Sequence, residues 1–145
     1  MSEAQAATAI RQAVTADAEA IAALIGLLGH TATVEGVRER LRIGASPTLV
    51  ATLGRTTAGF CGLDIQTHIH RDLPVGRITI LVVAPGHRGR GIGRSLMAES
   101  ERRLRRAGCG LIEITSNYRH SAAHEFYAHL GYDQPSIRFA KRLRD

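Results

Sequence analysis

The fold is decided by one continuous stretch, which reads Ile78-Thr79-Ile80-Leu81-Val82-Val83-Ala84-Pro85-Gly86-His87-Arg88-Gly89-Arg90-Gly91-Ile92-Gly93-Arg94. Its first half is apolar and largely β-branched, which predicts a buried strand that ends at the proline. Its second half is a loop with glycine at alternate positions, and a helix through Ala107 is predicted to follow. Glycines without β-carbons let consecutive backbone N–H groups converge on one point. With the positive end of the helix dipole, these groups predict a site for a phosphate or pyrophosphate.

The spacing of the glycines decides which phosphate ligand fits. A dinucleotide fingerprint needs a third glycine three residues after the second, but that position holds Arg94 when the count starts at Gly89 and Leu96 when it starts at Gly91. A nucleotide P-loop is excluded because no Gly-Lys-Ser/Thr follows. The pattern that fits is Arg-x-x-Gly-x-Gly, at residues 88–93. Three arginines add positive charge to the loop: Arg88, Arg90 and Arg94.

This loop resembles the one with which the GCN5-related N-acetyltransferase (GNAT) superfamily holds the pyrophosphate of acetyl-coenzyme A (acetyl-CoA). A second signature of that superfamily, Asn followed by Ala-x-x-Phe-Tyr-x-x-x-Gly-Phe/Tyr, is matched by Asn117 and residues 123–132. The resemblance covers roughly residues 8–143. It implies an α+β fold of mixed α/β type, in which about four helices flank a central, mostly antiparallel mixed sheet with a splayed central strand. We therefore expect a single N-acetyltransferase domain over residues 1–145.

The resemblance also implies which residues form the site. The loop residues expected to bind the cofactor are Arg88, Gly89, Arg90, Gly91, Ile92, Gly93 and Arg94. The backbone of Leu81, Val82 and Val83 is expected to pair with the pantetheine arm like an added strand, and one N–H there can polarise the thioester carbonyl. Asn117 is expected to bind the cofactor arm. Tyr127 is expected to lie near the sulfur, also as a cofactor contact, and to protonate the departing thiolate as general acid.

The chain departs from the superfamily at one catalytic position. Many members carry an acidic residue just before the Leu-x-Val of the central strand, where it serves as general base through water, and this chain has Ile80 there. The general base is therefore unassigned. The candidates are Asp64, His68, His70 and Glu113. A base is dispensable if the acceptor amine is partly neutral already.

A strand predicted from Ala58 to His70 carries a polar stripe. Alternation places Asp64, His68 and His70 on one face, opposite the apolar side chains. The simplest interpretation is a solvated face. The alternatives are a substrate-binding or subunit-interface role and a metal site on the same three residues. We expect these residues to contact the substrate, and we assign no metal.

The other elements follow from local patterns. They are a first strand from Thr8 to Val14, a helix capped by Thr15 or Asp17 and ending at Gly29, a helix from Val34 to Ile43 capped by Thr33, a hairpin turn at Gly54-Arg55, a strand over residues 111–114, a helix from Ala122 to Leu130 capped by Ser121, and a closing strand from Ile137 to Leu143.

Composition narrows the possible partners and the compartment. The formal net charge is +6, which suits a polyanionic cofactor or an anionic substrate. Nucleic acid is not expected, because the few aromatic residues are not interleaved with the arginines. We expect a cytoplasmic protein that does not bind membranes, because no apolar run reaches ~18 residues and no export signal begins the chain. Cys61 and Cys109 lack disulfide or metal spacing and are expected to be buried free thiols.

The function expected from the resemblance is transfer of the acetyl group of acetyl-CoA to the primary amine of a small molecule. Within the superfamily, residues 62–70 and 123–141 are similar to the aminoalkylphosphonate N-acetyltransferase branch. That narrower resemblance implies an acceptor with an anionic group. One alternative is an acetyltransferase that acts on a protein N-terminus or a lysine. The other is a non-catalytic CoA-binding regulatory domain, which is favoured by Ile80 in place of the usual acidic residue. A homodimer is an expectation from the superfamily alone.

Overall fold

The computed structural model describes residues 7–116 and 119–144. In chain order, the elements are β1 (Thr8–Gln12), α1 (Ala18–Leu27), α2 (Val34–Ile43), β2 (Thr48–Leu53), β3 (Thr56–Gln66), β4 (Val75–Val83), α3 (Ile92–Arg106), β5 (Leu111–Ile114) and α4 (Ser121–His129). Single 3₁₀ turns, Thr15–Asp17 and Pro85–His87, precede α1 and the glycine-rich loop. Within these ranges, none of the helices is both long enough and apolar enough to span a membrane.

The strands form one sheet in the order β1-β2-β3-β4-β5. Three neighbouring pairs are antiparallel: β1 with β2, β2 with β3, and β3 with β4. The helix α3 connects β4 to its neighbour β5, which is the crossover that parallel strands require. The sheet is therefore mixed and mostly antiparallel, and with its four helices it confirms the predicted α+β fold.

The chain forms two compact units. The first is Met1–Glu113, which holds the helices α1 to α3 and all of the sheet except the last residue of β5. The second is Ile114–Asp145, which holds α4. A single domain over residues 1–145 stays a prediction.

The strand β4 contains a β-bulge. Gly62 of β3 is opposite Ile80, but the next residue of β3, Leu63, is opposite Ile78, so Thr79 has no partner on β3. A β-carbon at Gly62 would lie 2.7 Å from the Thr79 Oγ1 and 3.0 Å from the Ile80 Cγ2. Only glycine fits there without displacing the bulge. A bulge of this kind bends the strand and increases its local twist.

The sheet has a helical layer on each face. On one face, α1 and α2 pack on a cluster that includes Phe60 and Val82. Cys61 follows Phe60 and points to the opposite face, where its Sγ lies 3.4 Å from the Ser100 Oγ of α3. Burial raises the pKa of the Cys61 thiol to about 11, so this thiol is free, protonated and structural. Cys109 is also a free thiol but only half-buried, unlike the prediction.

Elements predicted from local sequence signals, namely a helix cap and a hairpin turn, are confirmed, because they need no partner from a distant part of the chain. The helix α2 has the predicted bounds, and the Thr33 hydroxyl caps it by accepting the Gly36 N–H at 3.0 Å. The β2–β3 turn contains Gly54 and Arg55, as predicted. At α4, Ser121 is the first helical residue and not the predicted cap.

The predicted strand from Ile137 to Leu143 is wrong for the part of the chain that the structure describes. Residues 133–144 form no helix or strand. Ile137, Phe139 and Leu143 are 80%, 91% and 88% exposed, so the alternating pattern buries none of them. A strand is stabilised by hydrogen-bonded neighbours rather than by its own sequence, and no described strand pairs here. The strand predicted from Ala58 to His70 also ends early, at Gln66.

A buried carboxylate joins β1 to the start of α1. Asp17 accepts two hydrogen bonds from the Arg11 guanidinium, at 2.8 and 2.9 Å, and one from the Val14 N–H at 2.7 Å. The hydrogen bonds from Arg11 lower the pKa of Asp17 below its usual value, against an opposing effect of burial. The folded state therefore favours the ionised carboxylate.

We predict that Asp17→Asn lowers the free energy of unfolding by about 1–2 kcal/mol at neutral pH, because the variant loses a charged hydrogen-bond acceptor. The pKa of Asp17 is lower in the folded state, so its contribution is complete above the unfolded pKa and disappears as pH falls through the folded pKa. The difference between parent and variant should therefore shrink below about pH 4. Urea unfolding across pH measures this, with the exposed pair of Glu35 and Arg38 as control through Glu35→Gln. An equal difference at all pH values would contradict the role given to the charge.

Candidate active site

The glycine-rich loop presents free backbone donors at the start of α3. Gly91 is the N-cap residue, with a left-handed φ of +80°, and Gly89 has a φ of +77°. Among the described residues, no side chain caps this end, and the first turn holds no acidic residue. The first helical hydrogen bond runs from the Ser95 N–H to the Gly91 carbonyl at 3.0 Å. The N–H groups of residues 92–94 are therefore left without helical acceptors, as an anion site requires.

The three arginines of the loop differ in their contacts. The Arg88 Nε donates to the Val83 carbonyl at 3.2 Å, so this side chain joins the loop to the end of β4. Arg90 and Arg94 are exposed and take part in none of the ion pairs found among residues 7–116 and 119–144. These two side chains supply the positive charge near the donors.

The end of β4 directs backbone groups away from β3. The Ala84 N–H donates to the Ala58 carbonyl at 2.7 Å. Backbone groups of successive strand residues point to alternate edges, so the N–H and carbonyl groups of Leu81 and Val83 point to the other edge. The backbone N–H and carbonyl of Val82 point toward β3.

The neighbour on that other edge, β5, is too short to reach these groups. β5 begins beside the start of β4, because the Gly110 N–H donates to the Pro74 carbonyl at 3.0 Å. Its four residues span about 13 Å, whereas Leu81 lies about 20 Å further along β4 than the first residue of that strand. Among the described strands, none therefore pairs with the outer edge of Leu81 to Val83.

A cleft of about 160 Å³ lies between the sheet and the helices α1 and α2. We call it the α1–α2 cleft. Its apolar wall consists of Ile21, Ile25, Val37, Leu41, Ala45, Phe60, Gly62 and Ile80. Its polar residues are Arg40, Ser46, Thr48 and Thr79. The cleft is thus mostly apolar, with one positive charge and no negative charge.

The bulge of β4 determines how this cleft is built. Both Thr79 and Ile80 line it, although consecutive strand residues normally point to opposite faces. The apolar residue Ile80 occupies the position where many family members carry an acid. None of the residues that line the cleft is acidic. The cleft therefore holds no side chain that can act as a carboxylate base.

The predicted polar stripe is not assembled as a single face. Asp64 lies on β3, but its carboxylate accepts from its neighbours, the Ile65 N–H at 3.0 Å and the Gln66 Nε2 at 2.9 Å. His68 and His70 follow the end of β3, with ring centroids 5.6 Å apart. None of the three lines the α1–α2 cleft. Within the described part of the chain, no three potential ligands cluster around a metal position. A substrate-binding role for Asp64, His68 and His70 stays a prediction.

Other predicted site residues lie at or beyond the end of the first unit. Glu113 is exposed on β5. Asn117 lies outside the described residues. Tyr127 is half-buried on α4, with its ring centroid 5.4 Å from Phe126 and 6.2 Å from Tyr132. The predicted Phe-Tyr pair is therefore part of a small aromatic cluster.

Arg40 is a cleft residue that the sequence analysis missed. Val37 and Leu41 of α2 line the cleft, and Arg40 follows Val37 by three residues, so it borders the same face although its side chain is exposed. This spacing is the signal that identifies it.

Comparison with known proteins agrees with the motifs. The family model described as Acetyltransferase (GNAT) family matches residues 15–132. A curated aminoalkylphosphonate N-acetyltransferase of Salmonella typhimurium is 34% identical over 139 residues, covering 92% of this chain and 90% of the relative. The resemblance drawn from the two motifs, including the narrower branch, is therefore confirmed.

Solved structures agree in fold. A transcriptional regulator from Bacillus halodurans C-125 gives a TM-score of 0.86 at 21% identity, covering 94% of this chain and 100% of that one. The aminoglycoside N-acetyltransferase AAC(6')-Iy in complex with CoA gives 0.83 at 18% identity, covering 97% of both chains. At these identities, the likeness concerns the fold alone.

We predict that Gly91→Ala raises the Kd for CoA by roughly 5- to 30-fold, because a left-handed φ costs an L-residue roughly 1–2 kcal/mol and the free loop can relax away from it. The matched control is Gly108→Ala, at a glycine with φ +88° and equally open surroundings at the other end of α3. Both variants should stay folded, but only Gly91→Ala should weaken CoA binding. Calorimetry that finds equal CoA affinity in the two variants would remove the loop from the cofactor site.

Proposed function

This chain belongs to the acetyltransferase (GNAT) family and is an acetyl-CoA-dependent N-acetyltransferase, and we propose that its acceptor is a small primary amine with an anionic group, such as an aminoalkylphosphonate. The observation that carries this proposal is the 34% identity to an aminoalkylphosphonate N-acetyltransferase over nearly the whole chain. The α1–α2 cleft agrees with it in size and charge. Its volume of about 160 Å³ is below the range of ~300–1,000 Å³ typical of pockets for drug-sized ligands.

The glycine-rich loop is proposed to hold the pyrophosphate of the cofactor. The start of α3, which no described side chain caps, forms a cradle of donors with the left-handed glycines Gly89 and Gly91. A β-carbon at either glycine would meet no described heavy atom within 4 Å. Arg90 and Arg94 add charge beside it, and the backbone of Arg88, Ile92 and Gly93 completes the loop. These features fit a diphosphate, and bound acetyl-CoA supplies the acetyl thioester.

The end of β4 is proposed to orient the cofactor arm and the reacting carbonyl. Leu81 and Val83 have backbone groups on an edge that no described strand occupies, with the Val83 carbonyl also accepting from the Arg88 Nε. The backbone of Val82 holds this segment to β3. An extended arm can add to such an edge as a strand does. One N–H at this edge is placed to polarise a carbonyl oxygen. Asn117 is proposed to contact the same arm.

Proton transfer on the acceptor is proposed to proceed without a side-chain base in the cleft. With Ile80 at the usual acidic position, water takes the proton from the amine, or the amine binds in its neutral form. Asp64, His68, His70 and Glu113 remain proposed alternatives as bases, and the first three as substrate contacts. On the leaving side, the Tyr127 hydroxyl is proposed as the proton donor to the thiolate, since a phenol is a donor at neutral pH.

The acceptor class is tested by following thiol release from acetyl-CoA with a set of amines. The set holds an aminoalkylphosphonate, the alkylamine of equal chain length without the phosphonate, and peptides with a free N-terminus or a lysine. We expect kcat/KM for the phosphonate to exceed that of the matched alkylamine by at least about tenfold, the effect of about 1.4 kcal/mol. Preference for a peptide would instead indicate a protein acetyltransferase. CoA binding without turnover of any amine would indicate a regulatory domain.

We predict that Tyr127→Phe lowers kcat by about 10²- to 10⁴-fold with little change in the Kd for CoA, because only the donor hydroxyl is lost. Stopped-flow measurement of acetyl transfer isolates the chemical step. The matched control is Tyr132→Phe, which removes a hydroxyl from the same aromatic cluster. If transfer by Tyr127→Phe stays within about twofold of the parent, water or the acceptor supplies the proton.

A further inference from the structure

Arg40 is the only charged residue among those that line the α1–α2 cleft. We propose that Arg40 determines acceptor specificity by binding the anionic group of the amine. This inference rests on the proposed function, which gives the acceptor an anionic group, and adds the residue that recognises it.

Arg40 differs from the other arginines near it on α2. Arg38 pairs with Glu35, and Arg42 donates two hydrogen bonds to Glu39. Among the described residues, the Arg40 side chain has no hydrogen-bond or ion-pair partner. No carboxylate among the described residues therefore neutralises its guanidinium.

The Arg40 guanidinium lies beside a glycine one turn earlier. A β-carbon at Gly36 would lie 3.2 Å from the Arg40 Nη1 and 3.5 Å from the Nη2, so the side chain lies along α2 over the space that this glycine leaves. The long side chain is thus supported by the helix that carries it. The planar fork of a guanidinium can bind two oxygens of a phosphonate at once.

Two of the three hydroxyl groups in the cleft are engaged within the protein, and the third, that of Thr79, carries no charge. The Ser46 hydroxyl donates to the Leu63 carbonyl, and the Thr48 hydroxyl donates to the Ser46 carbonyl at 3.0 Å. Both hydroxyl protons are used inside the protein. No carboxylate lines the cleft to repel an anion or to neutralise the arginine.

The cleft also lies next to the proposed reaction centre. Thr79 and Ile80 form its β4 wall, and the next residue is Leu81, which begins the segment proposed to orient the thioester. An acceptor bound in the cleft is therefore beside that segment. Arg40 lies on α2, whereas the segment proposed to orient the cofactor lies on β4. Binding of the anion and transfer of the acetyl group are therefore assigned to separate residues.

The experiment compares two acceptors, an aminoalkylphosphonate and the alkylamine of equal chain length, with the parent enzyme and three variants. Arg40→Gln should lower kcat/KM for the phosphonate by about 10- to 100-fold, mainly through KM, and change the alkylamine by less than about twofold. Arg40→Lys should recover part of the loss, since it keeps the charge but not the fork. Arg42→Gln is the matched control, which removes an arginine of the same last turn and should change neither acceptor. Circular dichroism melting checks that all variants are folded.

The outcomes separate this inference from the function on which it rests. If the parent shows no preference for the phosphonate, the proposed acceptor class fails. If the parent prefers the phosphonate and Arg40→Gln retains that preference, the acceptor class stands and the role of Arg40 is overturned. An equal loss for both acceptors in Arg40→Gln also overturns it, because a residue that only shapes the cleft would act in that way.

Discussion

The close contact of Gly62 with the bulge of β4 is the constraint on which the site depends. Because Gly62 has no β-carbon, Thr79 and Ile80 can both occupy the face that α1 and α2 cover. The same bulge bends β4 as it approaches Leu81 and Val83, whose outer backbone groups have no described strand beside them. A regular strand would direct Thr79 to the opposite face. One missing side chain therefore shapes the acceptor cleft and the strand that continues from it.

Positive charge serves two proposed anion sites of different construction. At the loop, backbone N–H groups provide the directional contacts, and Arg90 and Arg94 are exposed. In the α1–α2 cleft, the positive charge belongs to the single side chain of Arg40. A net charge of +6 concentrates anionic ligands near the protein and affects both sites in the same direction. Discrimination between acceptors therefore depends on the local geometry of the cleft and not on the overall field.

Comparison of the predicted and observed elements shows where sequence reasoning is sound. The helix α2 was predicted to the residue, because its cap at Thr33 and its C-terminal glycine are local signals. The strand predicted over Ile137 to Leu143 is not present in the described residues, and β3 ends before His68. Alternation in sequence records which face a residue would occupy, but a strand exists only if a neighbour accepts its hydrogen bonds. Such neighbours are distant in the chain and leave no local signal.

The sequence by itself determined the glycine-rich loop at the start of α3 through its local spacing. The acetyltransferase family and the α+β fold followed from the resemblance that this loop and the second motif carry. Tertiary structure alone decided the composition of the α1–α2 cleft. Its walls come from two helices and three strands, between Ile21 and Ile80, and only their packing brings Arg40 beside the bulge. It also decided that Asp64, His68 and His70 do not line that cleft. The physical reason is that a cleft is enclosed by residues far apart in the chain, whose meeting depends on strand register and helix packing rather than on any local pattern.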